Sequence, residues 1–374
     1  MPHRIFAGPF EALEARLLTE IVERQRGDPL APVSVVVGSN ILAAYLKSRL
    51  AASGRAAANL RFYTFLDLAN RLASGSGPQP KPPLPPLGAS WILQGLLEDA
   101  PPRPFGEVSD LAGFRAALLD TFRDLRDAGI SAEDFERGVR GSLDETPERR
   151  EHLLGLAELY SRFRARTAPF SDVDDLFRRA SAAAPGAAGL VGSSFTIVYG
   201  VYDITGQQAD LLGALEGALE LAYFVPHVED GSAEFARPFL EARAAALGAP
   251  IERLGPPRAK STSLAALADR LFAPAAGAPL AADGSFTLLS VPGEARAAIE
   301  IARAVFEAAR DGVIAGFHEA AVFVRHPEED VPILAETFRS RRIPYYVQGG
   351  SAFADRALSR AVLALAALEE ESFA

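Results

Sequence analysis

The sequence predicts an α/β protein in which a parallel-sheet domain is interrupted by a helical insertion and followed by the first part of a second parallel-sheet domain. Three observations predict it. Over residues 1–74, short β-branched and aromatic runs alternate with longer helical patterns, the arrangement that builds βαβ units. A Pro-rich stretch, GSGPQPKPPLPPL at 75–87, then gives way to almost continuous helical periodicity between Trp91 and Ala183. Alternation of strand and helix patterns resumes beyond it, and again beyond a Gly/Pro/Ala-rich stretch at 273–284.

Taken in order, residues 4–7 (RIFA) read as a strand, and after Gly8-Pro9 a helix runs to about 26. VSVVV at 33–37 is the β-branched run of a strand buried on both faces. Ser39 and Asn40 offer a cap for a helix over 41–52, LRFY at 60–63 is a third strand, and Thr64 caps a helix to about 72. Proline lacks the amide donor and fixes φ, so 75–87 continues neither element. That stretch is a spacer between subdomains or a polyproline ligand for an adaptor domain. In the insertion, Leu111, Phe114, Leu118, Phe122 and Leu125 recur at three- and four-residue steps, as do Leu153, Leu156, Leu159, Tyr160 and Phe163.

Strands resume at 195–199 and 219–225 around a helix over 205–215. Beyond the linker the pattern is strand 286–291, helix 295–311, strand 320–324, helix 331–341, strand 344–347 and helix 358–370. Residues 1–74 and 188–272 thus form the first domain, 75–187 the insertion, 273–284 the linker and 285–374 part of the second domain. The chain stops inside an alternating pattern, as a fragment or a split domain would.

Composition excludes several chemistries. The 374 residues are 49% hydrophobic and 23% charged, enough apolar surface for two or three packed domains. Of 38 basic residues only Lys47, Lys81 and Lys260 are lysines. None completes a G-x-x-x-x-G-K-[ST] loop: before Lys260-Ser261, Ala259 and Leu254 stand at the glycine positions. None follows an acidic residue at the [DE]-x-K spacing of metal-dependent nucleases, where Tyr45, Gln79 and Arg258 stand instead. The absence of cysteine rules out disulfides, thiolate metal sites and thiol nucleophiles, and fits a cytoplasmic location. The five histidines are scattered, and no window is apolar enough to span a membrane. With a net charge of −10, any contact with nucleic acid has to be a local groove or patch.

Five stretches carry the functional argument. RIFAGPFEALEARLL places Gly8-Pro9 after a strand, as in a GPxxxGKT phosphate loop, but Leu13, Glu14 and Ala15 stand where Gly, Lys and Thr belong. Glu14 adds negative charge where a lysine neutralises phosphate, and Ala15 has no atom to ligate Mg²⁺. Glu14 also reads simply as a carboxylate favoured near a helix N-terminus. IVYGVYDITGQQADLL resembles an apolar strand ending in D-E-x-Q-D. Tyr199 replaces the metal-binding Asp, Gly200 the Glu that activates water and Tyr202 the Gln, leaving Asp203 and Gln208. Thr205 and Gln208 equally form a T-x-x-Q capping box.

Thr64-Phe65, after the third strand, offers an aromatic that stacks a base or, alternatively, a buried ring at a helix start. The run Asp172, Asp174, Asp175 and Leu176 positions the return to the sheet. In EAAVFVRHPEEDVPILAETFRSRRIPYYVQGGSAF, Arg325 taken by itself reads as an ordinary ion-pair partner. Arg339, Arg341 and Arg342 are a phosphate-touching cluster or a solvated helix end, and Gly349-Gly350 marks a turn.

Together these stretches resemble the N-terminal, helicase-like part of an AddB/RexB-type helicase-nuclease subunit, and more distantly UvrD and RecB of superfamily 1. The resemblance implies a RecA-like (P-loop NTPase-like) fold and a degenerate nucleotide site formed by Gly8, Pro9, Leu13, Glu14, Ala15, Tyr199, Gly200, Asp203, Gln208 and Arg325. It implies DNA contacts at Thr64, Phe65, Arg339, Arg341 and Arg342. No catalytic residue, metal or cofactor is expected in this region; ATP and Mg²⁺ belong to an AddA-like partner subunit. The implied role is DNA binding or recognition in double-strand-break repair, with a nuclease domain further along a longer chain and no membrane contact. The competing reading is a protein-interaction scaffold that binds neither DNA nor nucleotide.

Overall fold

The computed structural model describes residues 3–54, 58–75, 81–85, 87–141, 146–228, 233–255, 262–271, 278–347 and 357–367. The chain divides into two compact units, Met1–Ser285 and Phe286–Ala374. In the first, strands β1 (Arg4–Gly8), β2 (Val33–Val37), β3 (Leu60–Tyr63), β4 (Phe195–Tyr199), β5 (Glu220–Pro226) and β6 (Ile251–Arg253) form one sheet in the order β3-β2-β4-β5-β1-β6. Every pairing is parallel. The chain is therefore an α/β protein, as its sequence predicts.

Helices α1 (Phe10–Arg24) and α2 (Asn40–Ala52) follow β1 and β2. After β3 come α3 (Phe65–Ala73), then α4 (Gly88–Asp99), α5 (Ala112–Asp127), α6 (Ala132–Gly141) and α7 (Pro147–Thr167) of the insertion, and α8 (Val173–Ala183) and α9 (Ala187–Val191), which lead into β4. Then follow α10 (Gly206–Glu216) after β4, α11 (Arg237–Leu247) after β5, and α12 (Ser263–Arg270). The connections from β1 to β2 and from β2 to β3 step toward one edge of the sheet. Right-handed crossover therefore puts α1 and α2 on one face and the helices of the oppositely directed connections on the other.

Strand alternation feeds both faces. Phe6, Val35, Ile197, Tyr199 and Phe224 pack against Leu13, Leu17 and Ile21 of α1 and Leu46 of α2. Ile5, Ala7, Val36, Val198 and Tyr223 pack against Leu68 and Leu72 of α3, Phe177 of α8, Leu211 and Leu215 of α10 and Leu240 of α11. The insertion has a third cluster of its own. Neither α11 nor β6 is legible in the sequence: β6 is three residues long, preceded by Pro250 and largely exposed, so it carries no alternation.

The second unit corrects the expectation of strands at 286–291, 320–324 and 344–347. Its described residues hold α13 (Glu294–Arg310), α14 (Pro327–Ser340) and α15 (Ala357–Ala367) but no strand. A strand exists only as half of a pair, and these three segments do not pair with one another. Leu288, Phe323 and Tyr346 are 84%, 94% and 90% exposed, whereas a two-sided parallel sheet would bury them. What packs here is α13 on α14, through Ala302, Phe338 and Ile343. Among the described residues no helix is long and apolar enough to cross a membrane.

Candidate functional site

The carboxyl ends of the strands are where ligands bind in open α/β sheets, in the crevice where neighbouring strands send their chains to opposite faces. β1 and its neighbour β5 do this: β1 leads to α1 on one face and β5 to α11 on the other. The crevice is bounded by the exits of β1, β4, β5 and β6, and both degenerate motifs lie on it.

At the first motif the strand passes almost directly into the helix. β1 ends at Gly8, α1 begins at Phe10, and Pro9 is the only residue between them. A phosphate loop needs several non-helical residues whose amides point inward. Here Ala12 and Leu13 both donate their N–H to the Pro9 carbonyl at 3.0 Å, and Leu13, Glu14 and Ala15 are already helical. Gly8 has a structural reason to be glycine. A Cβ there would lie 2.9 Å from Leu254 Cβ and 3.1 Å from Leu254 O, because the first residue after β6 stays bonded beside β1, its N–H donating to Ala7 O at 2.7 Å. Gly8→Ala is expected to destabilise the first unit by about 1–3 kcal/mol, the usual cost of overpacking, read as a lower urea midpoint with unchanged slope.

Glu14 is only 8% exposed and faces α2. Tyr45 Oη donates to its Oε2 at 2.7 Å and Arg49 Nε to its Oε1 at 2.7 Å. Burial, and then donation to this carboxylate, hold the Tyr45 hydroxyl above its ordinary pKa. The hydrogen bond to Glu14 is the main cause that raises Arg49. The carboxylate therefore works as a clasp between α1 and α2, a more specific role than helix-dipole compensation. Tyr45 and Arg49, four residues apart on one helix face, are the partners that sequence reasoning missed. Leu13 is buried in the core and Ala15 is exposed on the outer side of α1.

At the second stretch, Tyr199, the residue that the sequence resemblance aligns with a metal-binding Asp, is fully buried. Its ring lies 5.7 Å from Phe224 and 6.2 Å, edge-on, from Phe10, which also contacts Tyr45 at 5.7 Å. Burial raises the Tyr199 phenol far above its ordinary pKa, with the charge of Glu14 adding to the effect, and its Oη has no hydrogen-bond partner. Gly200 has φ +68°, and a Cβ there would meet Leu42 Cδ2 at 3.0 Å, so any side chain at this position is strained. Tyr202 and Asp203 are exposed. Gln208 is committed locally: its Oε1 accepts from Thr205 N–H at 3.2 Å, and Thr205 Oγ1 accepts from Gln208 N–H at 3.3 Å, the capping box of α10.

A cluster not seen in the sequence closes the other side of the crevice. His227, buried after β5, donates its backbone N–H to Gly8 O at 3.2 Å. Arg253 Nη1 lies 3.3 Å from His227 Nδ1, and Glu234 Oε2 lies 3.2 Å from Nε2. Since arginine only donates, Nδ1 is the acceptor toward Arg253, which leaves Nε2 to face the Glu234 carboxylate. Among the described residues no group of three His, Asp or Glu side chains is arranged to hold a metal ion.

No family model and no curated protein matches this chain.

The remaining candidates are dispersed. Thr64 caps α3, accepting from Asp67 N–H while Asp67 accepts from Thr64 N–H. Phe65 is 6% exposed and packs in the core on the α3 face of the sheet, so its ring presents no face to a base and the buried alternative describes it. Asp172 caps α8, in line with an architectural role. Arg325 is exposed, in the second unit. Arg339 pairs with Glu336 and donates to Tyr345 Oη at 3.2 Å, while Arg341 reaches only Thr337 O and Ser340 Oγ at 3.4 Å. Arg342 has φ +58° and ends the turn after α14. Gly349-Gly350 and Lys260-Ser261 lie outside the described residues.

Proposed function

We propose that this chain is a catalytically inactive, helicase-like module with a RecA-like first domain. On this reading it is a DNA-holding or recognition arm of an AddB/RexB-type repair assembly in the cytoplasm, and ATP is hydrolysed by an AddA-like partner. One observation carries the loss of the motor: the one-residue passage from β1 into α1, with the position of the motor lysine taken by a carboxylate tied to Tyr45 and Arg49. A phosphate finds no multi-residue loop of amides there, and the lysine position holds a carboxylate that already occupies the nearby cation, Arg49. The DNA half of the proposal is supported by the sequence resemblance and by the exposed cationic end of α14 at Arg339, Arg341 and Arg342.

Titration of the chain with Mg·ATP is expected to give no binding below about 1 mM, where a weak site worth about 4 kcal/mol would register. Micromolar binding, or hydrolysis above background, would overturn the inactive-motor reading. Glu14→Lys, which returns the motor lysine, is expected to gain no nucleotide affinity and to lose about 2 kcal/mol of stability, because it removes the acceptor of two hydrogen bonds and sets a cation beside Arg49.

The scaffold reading is favoured by the burial of Phe65, the capping role of Thr64 and the net charge of −10. Single-stranded DNA separates the two. A DNA arm gives an affinity whose logarithm falls with log salt at about 0.7 per phosphate neutralised, and a scaffold gives no binding at any salt.

A further inference from the structure

We propose that helices α4–α7 form a hinged body, clamped shut on the sheet by a charged latch and able to swing about the paired neck through which the chain enters and leaves it. The insertion carries its own core, built by Leu93 and Leu97 of α4, Phe122 of α5, and Leu159, Tyr160 and Phe163 of α7. That cluster is separate from the two that cover the sheet, so displacing the body need not open an apolar interior. At the neck the entering and leaving segments run parallel at Pro83 and Ser171. Ser171 N–H donates to Pro82 O at 2.8 Å and Leu84 N–H to Ser171 O at 3.3 Å, which holds the two ends together as a single pivot.

What joins the body to the sheet-side helices is polar. Arg126 at the end of α5 lies 3.3 Å from Asp172, and Arg164 of α7 lies 3.3 Å from Asp172 and 2.7 Å from Asp174. Asp172 is anchored on the other side, capping α8 by accepting from Asp175 N–H at 2.9 Å. Gln207, in the first turn of α10, donates to Arg126 O at 2.9 Å and also bonds Asp174.

Beside these contacts lies a cleft of about 660 Å³, with Ser131, Glu133, Arg164, Asp174 and Asp210 among its lining. A permanent joint in a domain is close-packed, whereas this one borders an open cleft and is bridged by charged pairs. Closure also leaves Arg126 Nε buried without a partner, a cost that opening relieves. At Gly206 the two bodies touch through backbone: a Cβ there would stand 2.6 Å from Ala128 O. Gly206 and Gln207 directly follow Thr205, where the loop leaving β4 ends, so the latch reports on the carboxyl edge of the sheet.

The absence of cysteine makes the test clean. Spin labels at Glu133→Cys and Asp210→Cys, both exposed and on α6 and α10 across the cleft, read its width by pulsed electron resonance. A control pair at Asp210→Cys and Glu241→Cys, on α10 and α11, stays within the sheet domain.

The expected result is a narrow distribution across the cleft in the otherwise unaltered chain. Gly206→Ala, which leaves every latch charge in place, and Arg164→Gln, which removes one, each shift it to a longer and broader distribution while the control pair is unchanged. Rising salt on the intact latch, from about 0.05 to 1 M, adds the same long-distance population as screening grows, and it carries the test should either variant fail to fold. An unchanged cleft distance in the folded variants and across the salt series overturns the proposal.

Discussion

Tyr199→Asp, which puts a carboxylate at the end of β4, is expected to unfold the first domain and create no metal site. Tyr199 is fully buried between Phe10 and Phe224 on a strand flanked by β2 and β5. The substitution removes an aromatic ring and sets an unpaired carboxylate near Glu14, whose charge already acts on this position. Large-to-small replacement alone costs about 3–5 kcal/mol, and an uncompensated buried charge adds several more, enough to cancel the total stability of an ordinary domain. Tyr199→Phe is expected to behave in the opposite way. The Oη has no partner, so its removal is neutral or stabilises by up to about 1 kcal/mol. Urea denaturation of the pair checks both signs. A folded Tyr199→Asp that binds Mg²⁺ would show that the crevice can hold a metal, and a Tyr199→Phe that loses about 2 kcal/mol or more would mean that the phenol has a polar role there.

Phe65→Ala is expected to cost about 3–5 kcal/mol, the loss of a large side chain from a packed core, and Phe65→Leu less than about 1.5 kcal/mol. The ring packs in the same cluster as Leu68, Leu72 and Phe177, where α3 and α8 meet over the sheet, and collapse of that cavity would have to move a helix. The leucine variant is the informative one for function. It keeps the fold and removes the aromatic face, so its affinity for single-stranded DNA at low temperature is expected to equal that of the unaltered chain. A stacking residue would instead lose about 1–3 kcal/mol of binding.

Residues with short-range logic were legible. The VSVVV strand, the insertion helices marked by Phe122 and Phe163, and the capping box of Thr205 and Gln208 follow from periodicity and from contacts three or four residues apart. The absence of a complete phosphate-loop motif was legible in the same way, because Glu14, Ala15, Tyr199 and Gly200 carry neither the lysine nor the metal-ligand chemistry whatever surrounds them. The positions left open were those with two locally equivalent readings. Thr64-Phe65 serves a DNA track or a core equally well in sequence, and burial decides between them.

The segments 286–291, 320–324 and 344–347 have the composition of strands, and local preference is all that a sequence pattern records. A strand also needs a neighbour at hydrogen-bonding distance, which these segments do not give one another. The sequence by itself therefore determined the α/β class, the helical insertion and the absence of a complete phosphate-loop motif, because each is written in residue types and spacings within a few turns of chain.

Only the tertiary structure decided that Glu14 clasps Tyr45 and Arg49, that Leu254 requires a glycine at position 8, and that Arg126 and Arg164 reach Asp172 and Asp174. Most of these partners are tens to hundreds of residues apart in the chain. They meet only because the crossovers fold α1 beside α2, β6 beside β1 and the insertion back onto α8 and α10.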